Sequence, residues 1–339
     1  GPSQLRRIPS VPSILSIAPG REIAGPGNWT FPPHKAFLPV KAGAGMTGDT
    51  NEQHRARIGA LWVLGSVASF TLMAVAGREA GRVHDTFEIM LYRSVIGLVI
   101  LMAFVVATGR LGQIGRGRMG LMTLRNLFHF AGQNLWLHAL MVLPLAQVFA
   151  LEFTMPIWTL ILSALFLGEA ITRRGGMVAV LGFIGILIVT RPFGSFDTGL
   201  IPAALAAIGF AVSATCTRLL TRTESVVSIL FWLHVMQGAM ALVVAGYDGA
   251  ITLPRSDTIL PLLVVGLTGL TAHACLTIAL SLAPAEKVIP VDYLRLPLIF
   301  VVGWWLYDEK VDIWLIAGGA LILFANWLNL PRRDRPSRQ

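Results

Sequence analysis

Long apolar runs without charge, separated by short polar stretches, set the pattern of the chain. No Asp, Glu, Lys or Arg occurs in residues 58–77, 94–109, 126–151, 153–168 or 175–190. The same holds for 198–217, 225–247, 258–285, 296–307 and 313–331. A bilayer core needs about 20 apolar residues per helix, so these runs predict ten transmembrane helices. The shorter runs are those with a charge inside the span or near its end. None alternates with the period of two that a β-barrel strand shows, and lipid offers no partner to open backbone groups, so every span is read as helix. The connections are short, which makes one bundle. The expected fold class is an all-α membrane protein.

Composition agrees. Of 339 residues, 55% are apolar and 13% charged, against about 45–50% and about 25% in soluble domains. That balance excludes a disordered chain and argues against a soluble enzyme. It also argues against a nucleic-acid partner despite the net charge of +9. Basic residues have another use in a membrane protein, where they mark cytoplasmic loops. With the N-terminus inside, the inside loops and tails hold 15 Lys and Arg and the outside loops 5, so both termini are expected in the cytoplasm. Arg125 is counted there with the inside loops. Cys216 and Cys275 have no CxxC partner and read as packing residues, with no disulfide, metal site or cofactor expected.

Residues 1–56 read as a flexible N-terminal tail or a non-native extension. The Gly1-Pro2 opening suggests a tag-cleavage scar or an upstream extension, and an organelle presequence is the alternative that the many prolines oppose. Residues 57–193 and 194–330 read as two five-helix repeats, and 331–339 as a basic cytoplasmic tail. The repeat emerges on sliding the chain by 140 residues. Arg78 then falls on Arg218, Pro144 on Pro284, Glu152 on Asp292 and Glu169 on Glu309, with no gap across five helices. An odd number of helices per unit forces the second copy to enter the membrane from the opposite side. Inverted repeats recur in secondary transporters, with the substrate site near the midplane between the halves.

The stretch from Leu143-Pro144-Leu145-Ala146 through Pro156 to Leu167-Gly168-Glu169 resembles the fourth-helix signature of the EamA family in the drug/metabolite transporter superfamily. Gly182-Phe183-Ile184-Gly185-Ile186 and Tyr92-Arg93 resemble the same family, as does the recurrence of Pro284 and Asp308-Glu309. The resemblance covers roughly 57–330. It implies a 5+5 inverted repeat and an inner-membrane metabolite carrier. Leu124-Arg125-Asn126 through Trp136 and the Met155-Pro156 region are similar to carriers described as S-adenosylmethionine or riboflavin uptake proteins. Leu296-Pro297 departs by one place from the position matching Pro156, so the two helix kinks are not expected to be strictly symmetric.

Charges inside a bilayer cost at least about 2.5–3.5 kcal/mol each and mark functional positions. Glu152 and Asp292 sit at matched depths, roughly 8–10 Å below their surfaces at about 1.5 Å per residue. Each precedes a proline, which frees a backbone carbonyl and can open a turn. They are expected to flank a central cavity as a cation or proton site, or else to form a structural ion pair. Arg295 follows Asp292 by three and shares its helix face; it either pairs locally or clamps a substrate carboxylate or phosphate. Arg93 meets Glu152 or the substrate, and Glu88, five residues earlier, is poorly aligned with it. Asn126, His129 and Gln133 form one polar face of the third helix, with Trp136 and His138 nearby, read as cavity lining. Trp158 and Tyr293 join the candidate site, where a ring could stack on a flat or cationic ligand. His234 with Gln237, and His273, read as isolated packing residues. Trp304, Trp305 and Trp314 read as an interfacial belt, and Glu169 and Glu309 as capping or interface groups.

The expected function is a secondary active transporter or antiporter for a small polar or amphipathic metabolite, S-adenosylmethionine, amino-acid or nucleoside/flavin-like. It is expected to act as a monomer or homodimer with a small-molecule substrate. An exporter of the same fold is the alternative; an intramembrane enzyme, for which GxSxG and HExxH are lacking, or a channel ranks below it.

Overall fold

The computed structural model describes residues 47–167, 172–190, 197–247, 249–283, 291–310 and 312–329. Glu169, Pro284, Lys287 and both expected tails beyond 46 and 330 lie outside them. All regular structure among the described residues is helical. The helices are α1 (Thr47–Ala80), α2 (Thr86–Ala107), α3 (Met119–Val142), α4 (Leu145–Glu152), α5 (Met155–Leu167) and α6 (Arg173–Thr190). They continue as α7 (Leu200–Leu220), α8 (Val226–Ala245), α9 (Ile259–Leu282), α10 (Arg295–Tyr307) and α11 (Ile313–Asn329).

Contacts across the bundle obey the 140-residue offset. Under it α1 matches α7, α3 matches α9, and α2, α6 match α8, α11. The main packed pairs are α1 with α9, α3 with α7, α2 with α8 and α6 with α11. The first two are the same contact made twice, and the last two join equivalent helices. That pattern is what a twofold relation between halves produces. Equivalent helices also run opposite ways. On α2 and α8, Arg93 meets Gln237 while Gly97 meets His234. On α6 and α11, Gly185 meets Ile322 while Val189 meets Gly318. At this second crossing a Cβ on Gly185 would lie 2.6 Å from Ile322 Cγ1 and 3.0 Å from the Gly318 carbonyl oxygen, so only glycine permits the approach.

Local sequence fixes the helix ends in matched pairs. Asp85 caps α2 by accepting the Glu88 N–H at 2.8 Å, while Glu88 reaches back to the Asp85 N–H at 3.3 Å, a reciprocal capping box. Its equivalent, Ser225, caps α8 through the Ser228 N–H at 3.0 Å. Leu143 and Ala283, 140 residues apart, are both extended, at ψ 156. Each precedes a proline, which disfavours the helical conformation before it.

The structure moves three boundaries. The charge-free run 126–151 contains the end of α3 and nearly all of α4, because the break at Leu143-Pro144 carries no charge. Glu152 closes α4 within the fourth element. Helix α1 begins at Thr47, so residues 47–56, expected in the tail, are helical; the stretch apolar enough to cross a bilayer begins at Gln53. Arg125 is buried in α3 and is not a loop charge.

Seven stretches among the described residues are long and apolar enough to cross a bilayer, fewer than the ten expected. Helix α3 has the length, at 24 residues, but is diluted by Arg125, Asn126, His129, Gln133 and Asn134. Helices α10 and α11 are apolar but shorter. Large apolar side chains such as Leu72, Val99, Leu165, Val243, Trp304 and Trp305 are exposed around the bundle. A surface of that kind suits lipid.

Candidate functional site

The fourth element breaks at Phe153-Thr154, between α4 and α5. The second half breaks at the matching Tyr293-Leu294, just before α10. Pro156 and Pro297 fall in the first turns of α5 and α10, where a missing N–H costs least. At the first break, Thr154 Oγ1 donates to the Leu151 carbonyl at 2.6 Å. Asn326 of α11 donates to the Phe153 carbonyl at 2.7 Å. The backbone opened by the break is thus held by side chains from both halves.

The charged candidates converge at these breaks. Arg295 Nη2 lies 2.9 Å from Glu152 Oε1 and 2.9 Å from Asp292 Oδ2. Trp136 Nε1 donates to the other oxygen of Glu152 at 2.8 Å. The Arg295 guanidinium carbon lies 4.9, 5.3 and 5.1 Å from the ring centres of Phe70, Phe149 and Phe153. Tyr293 packs edge-on against Phe153. The Arg295 and Glu152 side chains are 6% and 12% exposed, so the group sits in the packed interior. Two acids share one arginine, leaving one negative charge in excess among the three. Asp292 Oδ1 and Arg295 Nε have no hydrogen-bond partner among the described residues.

A second cluster occupies the space between α2, α3, α8 and α9. Arg93 Nη1 donates to Gln237 Oε1 at 3.0 Å and lies 3.4 Å from Met90 Sδ. Glu152 is held by Arg295 instead, so the expected Arg93–Glu152 pair does not form. Gln237 Nε2 lies 2.7 Å from His129 Nδ1, and the rings of His129 and His273 meet edge-on at 4.7 Å. Arg125 donates to Thr217 Oγ1 at 2.6 Å and to Asn126 Oδ1 at 2.9 Å. Asn126 in turn donates to the Trp232 carbonyl at 3.2 Å. Gln133 is buried on the same helix.

Several expectations change here. His234, Gln237 and His273 are not isolated: they surround Arg93 and His129. Sequence reasoning missed them because each sits alone in its own apolar run. A signal was present in the pairs Arg93/Gly97, Arg125/His129 and His234/Gln237, each spaced to share a helix face. Glu88 lies apart. It accepts the Thr252 N–H at 2.5 Å and pairs with His84 at 3.3 Å, so it ties a loop to the start of α2. Trp158 also lies apart, donating to Thr154 Oγ1 at 3.1 Å and packing on Phe183 of α6.

A third polar contact joins the halves at one end of the bundle. Arg78 of α1 pairs with Glu309 at 2.5 Å and donates to the carbonyls of Leu140, at 2.7 Å, and Leu143. Glu309 also accepts the Leu145 N–H that starts α4, at 2.9 Å. That is the capping and interface role its position suggested. A hollow of about 430 Å³ lined by Arg78, Gly81, Arg82, Met141, Val142, Leu143 and Tyr307 adjoins this contact.

The EamA-like transporter family matches residues 57–191 and again residues 197–330. The chain belongs to that family. The two matches fall on the two halves that the contact pattern relates. A riboflavin transporter of Brucella anthropi is 32% identical over 252 residues, 73% of this chain and 88% of its own. An S-adenosylmethionine uptake transporter of Rickettsia conorii is 28% identical over 263 residues, 77% of this chain and 88% of its own. A pseudopaline exporter of Pseudomonas aeruginosa is 30% identical over 284 residues, covering 78% and 93%. A solved crystal structure shares the fold with a TM-score of 0.58 at 17% identity, covering 80% of this chain and 95% of its own. Membership makes the chain a multi-pass transporter of the bacterial inner membrane.

Proposed function

We propose that the chain crosses the membrane ten times as a 5+5 inverted repeat with both termini in the cytoplasm. In this reading α3 is a span despite its polar face, which turns inward, and α10 and α11 are the short last spans of the second half. The protein is a secondary active transporter of a small polar or amphipathic metabolite, in the chemical range of S-adenosylmethionine, amino acids and nucleoside- or flavin-like molecules. One observation carries the reading: Arg295 of the second half, at one helix break, is held by Glu152 of the first half, at the matching break. The excess negative charge of that centre invites a cationic group or a proton. A cation that competes for Glu152 loosens the ion pair that joins the two breaks, and the halves can then rock.

An asymmetry between equivalent arginines supports alternating access. Arg78 is held by Glu309, closing the outer end, whereas its equivalent Arg218 is exposed. Exchange of these two arrangements between the halves gives the opposite-facing state, because the halves are related by symmetry.

Radiotracer flux in proteoliposomes tests the reading, with S-adenosylmethionine and riboflavin as first probes. Saturable flux accelerated by trans substrate is expected. Glu152→Gln and Asp292→Asn should fold and lose transport, and full-rate transport by both would overturn the role of the seam. The relatives include both uptake proteins and an exporter, so direction is read from right-side-out against inside-out vesicles. Flux independent of pH between about 5 and 8 would count against proton coupling.

A further inference from the structure

Arg93 and Arg125 differ from two other arginines packed within the bundle. Arg78 and Arg295 each face a carboxylate. Arg93 and Arg125 are 1% and 2% exposed, and among the described residues neither pairs with an acid. Their partners are Gln237, Met90, Thr217 and Asn126, all neutral. A buried charge that neutral groups only partly satisfy is costly, and an opposite charge is what compensates it.

The unsatisfied atoms have a definite shape. Arg93 Nε and Nη2 have no hydrogen-bond partner among the described residues. These two nitrogens form one edge of the guanidinium, the fork that receives a carboxylate or phosphate through two parallel hydrogen bonds. His234 Nε2 and His273 Nε2 are likewise unpartnered. Glycines let the helices close on these side chains: a Cβ on Gly269 would lie 2.5 Å from Arg93 Nε, and one on Gly97 would run into the His234 ring.

We infer that Arg93, with Arg125, His234 and His273 around it, is the binding site for an anionic group, a carboxylate or phosphate, of the transported molecule. The inference rests on the transport reading for the source of that anion. Depth argues for cargo over lipid. Arg93 is the eighth residue of α2, about 10 Å along its axis, and His234 is the ninth of the 20 residues of α8. Headgroup phosphates lie outside that zone. Phe70 links this site to the seam, packing edge-on against His273 at 5.3 Å and lying under Arg295 at 4.9 Å. A cargo with opposite charges at its two ends meets an arginine fork at one and the carboxylate-rich seam at the other.

Binding to the purified full-length protein in detergent tests the site with matched probes. These are riboflavin 5′-phosphate against riboflavin, methionine against its methyl ester, and inorganic phosphate, read by thermal stabilisation. In at least one pair the member that carries the carboxylate or phosphate should bind about tenfold more tightly than the member that lacks it. Arg93→Gln and Arg125→Gln should each abolish that preference. Without ligand, Arg93→Met should melt no lower than wild type, since it removes an uncompensated charge; a clearly lower melting point would mark Arg93 as structural and overturn the inference. No anion preference in any pair, or a preference that survives in both Gln variants, would also overturn it. Arg93-dependent stabilisation by phosphatidylglycerol alone would give the site to lipid, against the inference. Flux without anion preference sinks the anion site and leaves transport standing; Arg93-dependent anion binding without flux does the reverse.

Discussion

Replacing Arg295 with Met probes the seam with a calculable cost. Arg295 holds Glu152 and Asp292, each at 2.9 Å, with a side chain only 6% exposed. Removing one member of a buried ion pair costs about 3–5 kcal/mol, because the charge left behind stays buried. Loss of the cation–π contacts with Phe70, Phe149 and Phe153 adds about 0.5–2 kcal/mol. Met fills much of the stem volume, so lost packing adds little. Glu152→Gln keeps the shape and leaves the Asp292–Arg295 pair intact, and should cost only about 1 kcal/mol. In the Glu152→Gln background Arg295→Met strands one carboxylate instead of two. The two substitutions should therefore be coupled, by about 1–3 kcal/mol. Thermal unfolding of wild type, both single variants and the double variant measures this. At about 2–4 °C per kcal/mol, Arg295→Met alone should melt on the order of 10 °C lower. Equal losses in the two backgrounds, or an Arg295→Met protein as stable as wild type, would refute the shared-cation geometry.

Other substitutions test separate parts of the structure. Gly185→Leu places a side chain where Ile322 and the Gly318 carbonyl leave no space. It should cost at least about 1–3 kcal/mol, and an unchanged melting temperature would contradict the α6–α11 crossing. Asn326→Leu leaves the Phe153 carbonyl without its partner, at about 1–3 kcal/mol; flux and melting temperature should both fall, and wild-type values would remove Asn326 from the helix break. Glu309→Gln weakens the contact that holds Arg78 to the start of α4. A cysteine at Met141 should then react faster with a membrane-impermeant maleimide, and an unchanged rate would deny that this contact closes the outer end.

The fold was legible wherever it depends on charge and spacing. The offset of 140 residues reappears in the packed helix pairs, and Glu152 and Asp292, matched under it, meet at Arg295. The Asp292–Arg295 contact follows from helical periodicity alone. Sequence periodicity could not show which helices face each other, so Glu152 was set against Arg93 or the substrate and not against Arg295, its partner across the seam. For the same reason Arg125 looked like a loop charge: it stands just before the charge-free run 126–151, and only the packing of α3 against α7 and α8 shows it buried. His234 and His273 were invisible as a group because they come together only through tertiary contacts from α8 and α9. Glu88, by contrast, looked like an intramembrane acid. It serves the capping box and the Thr252 loop, a role written locally in the Asp85 to Glu88 spacing.

Sidedness of equivalent positions tests the inverted repeat most directly. Met141 lines the hollow beside Arg78, and its equivalent 140 residues on is Ser281, exposed at the end of α9. Single cysteines at these positions, in a Cys216→Ser/Cys275→Ser background, are labelled with an impermeant maleimide in right-side-out and inside-out vesicles. An inverted repeat predicts that Met141→Cys reacts from the outside and Ser281→Cys from the cytoplasmic side. Labelling of both from the same side would contradict it.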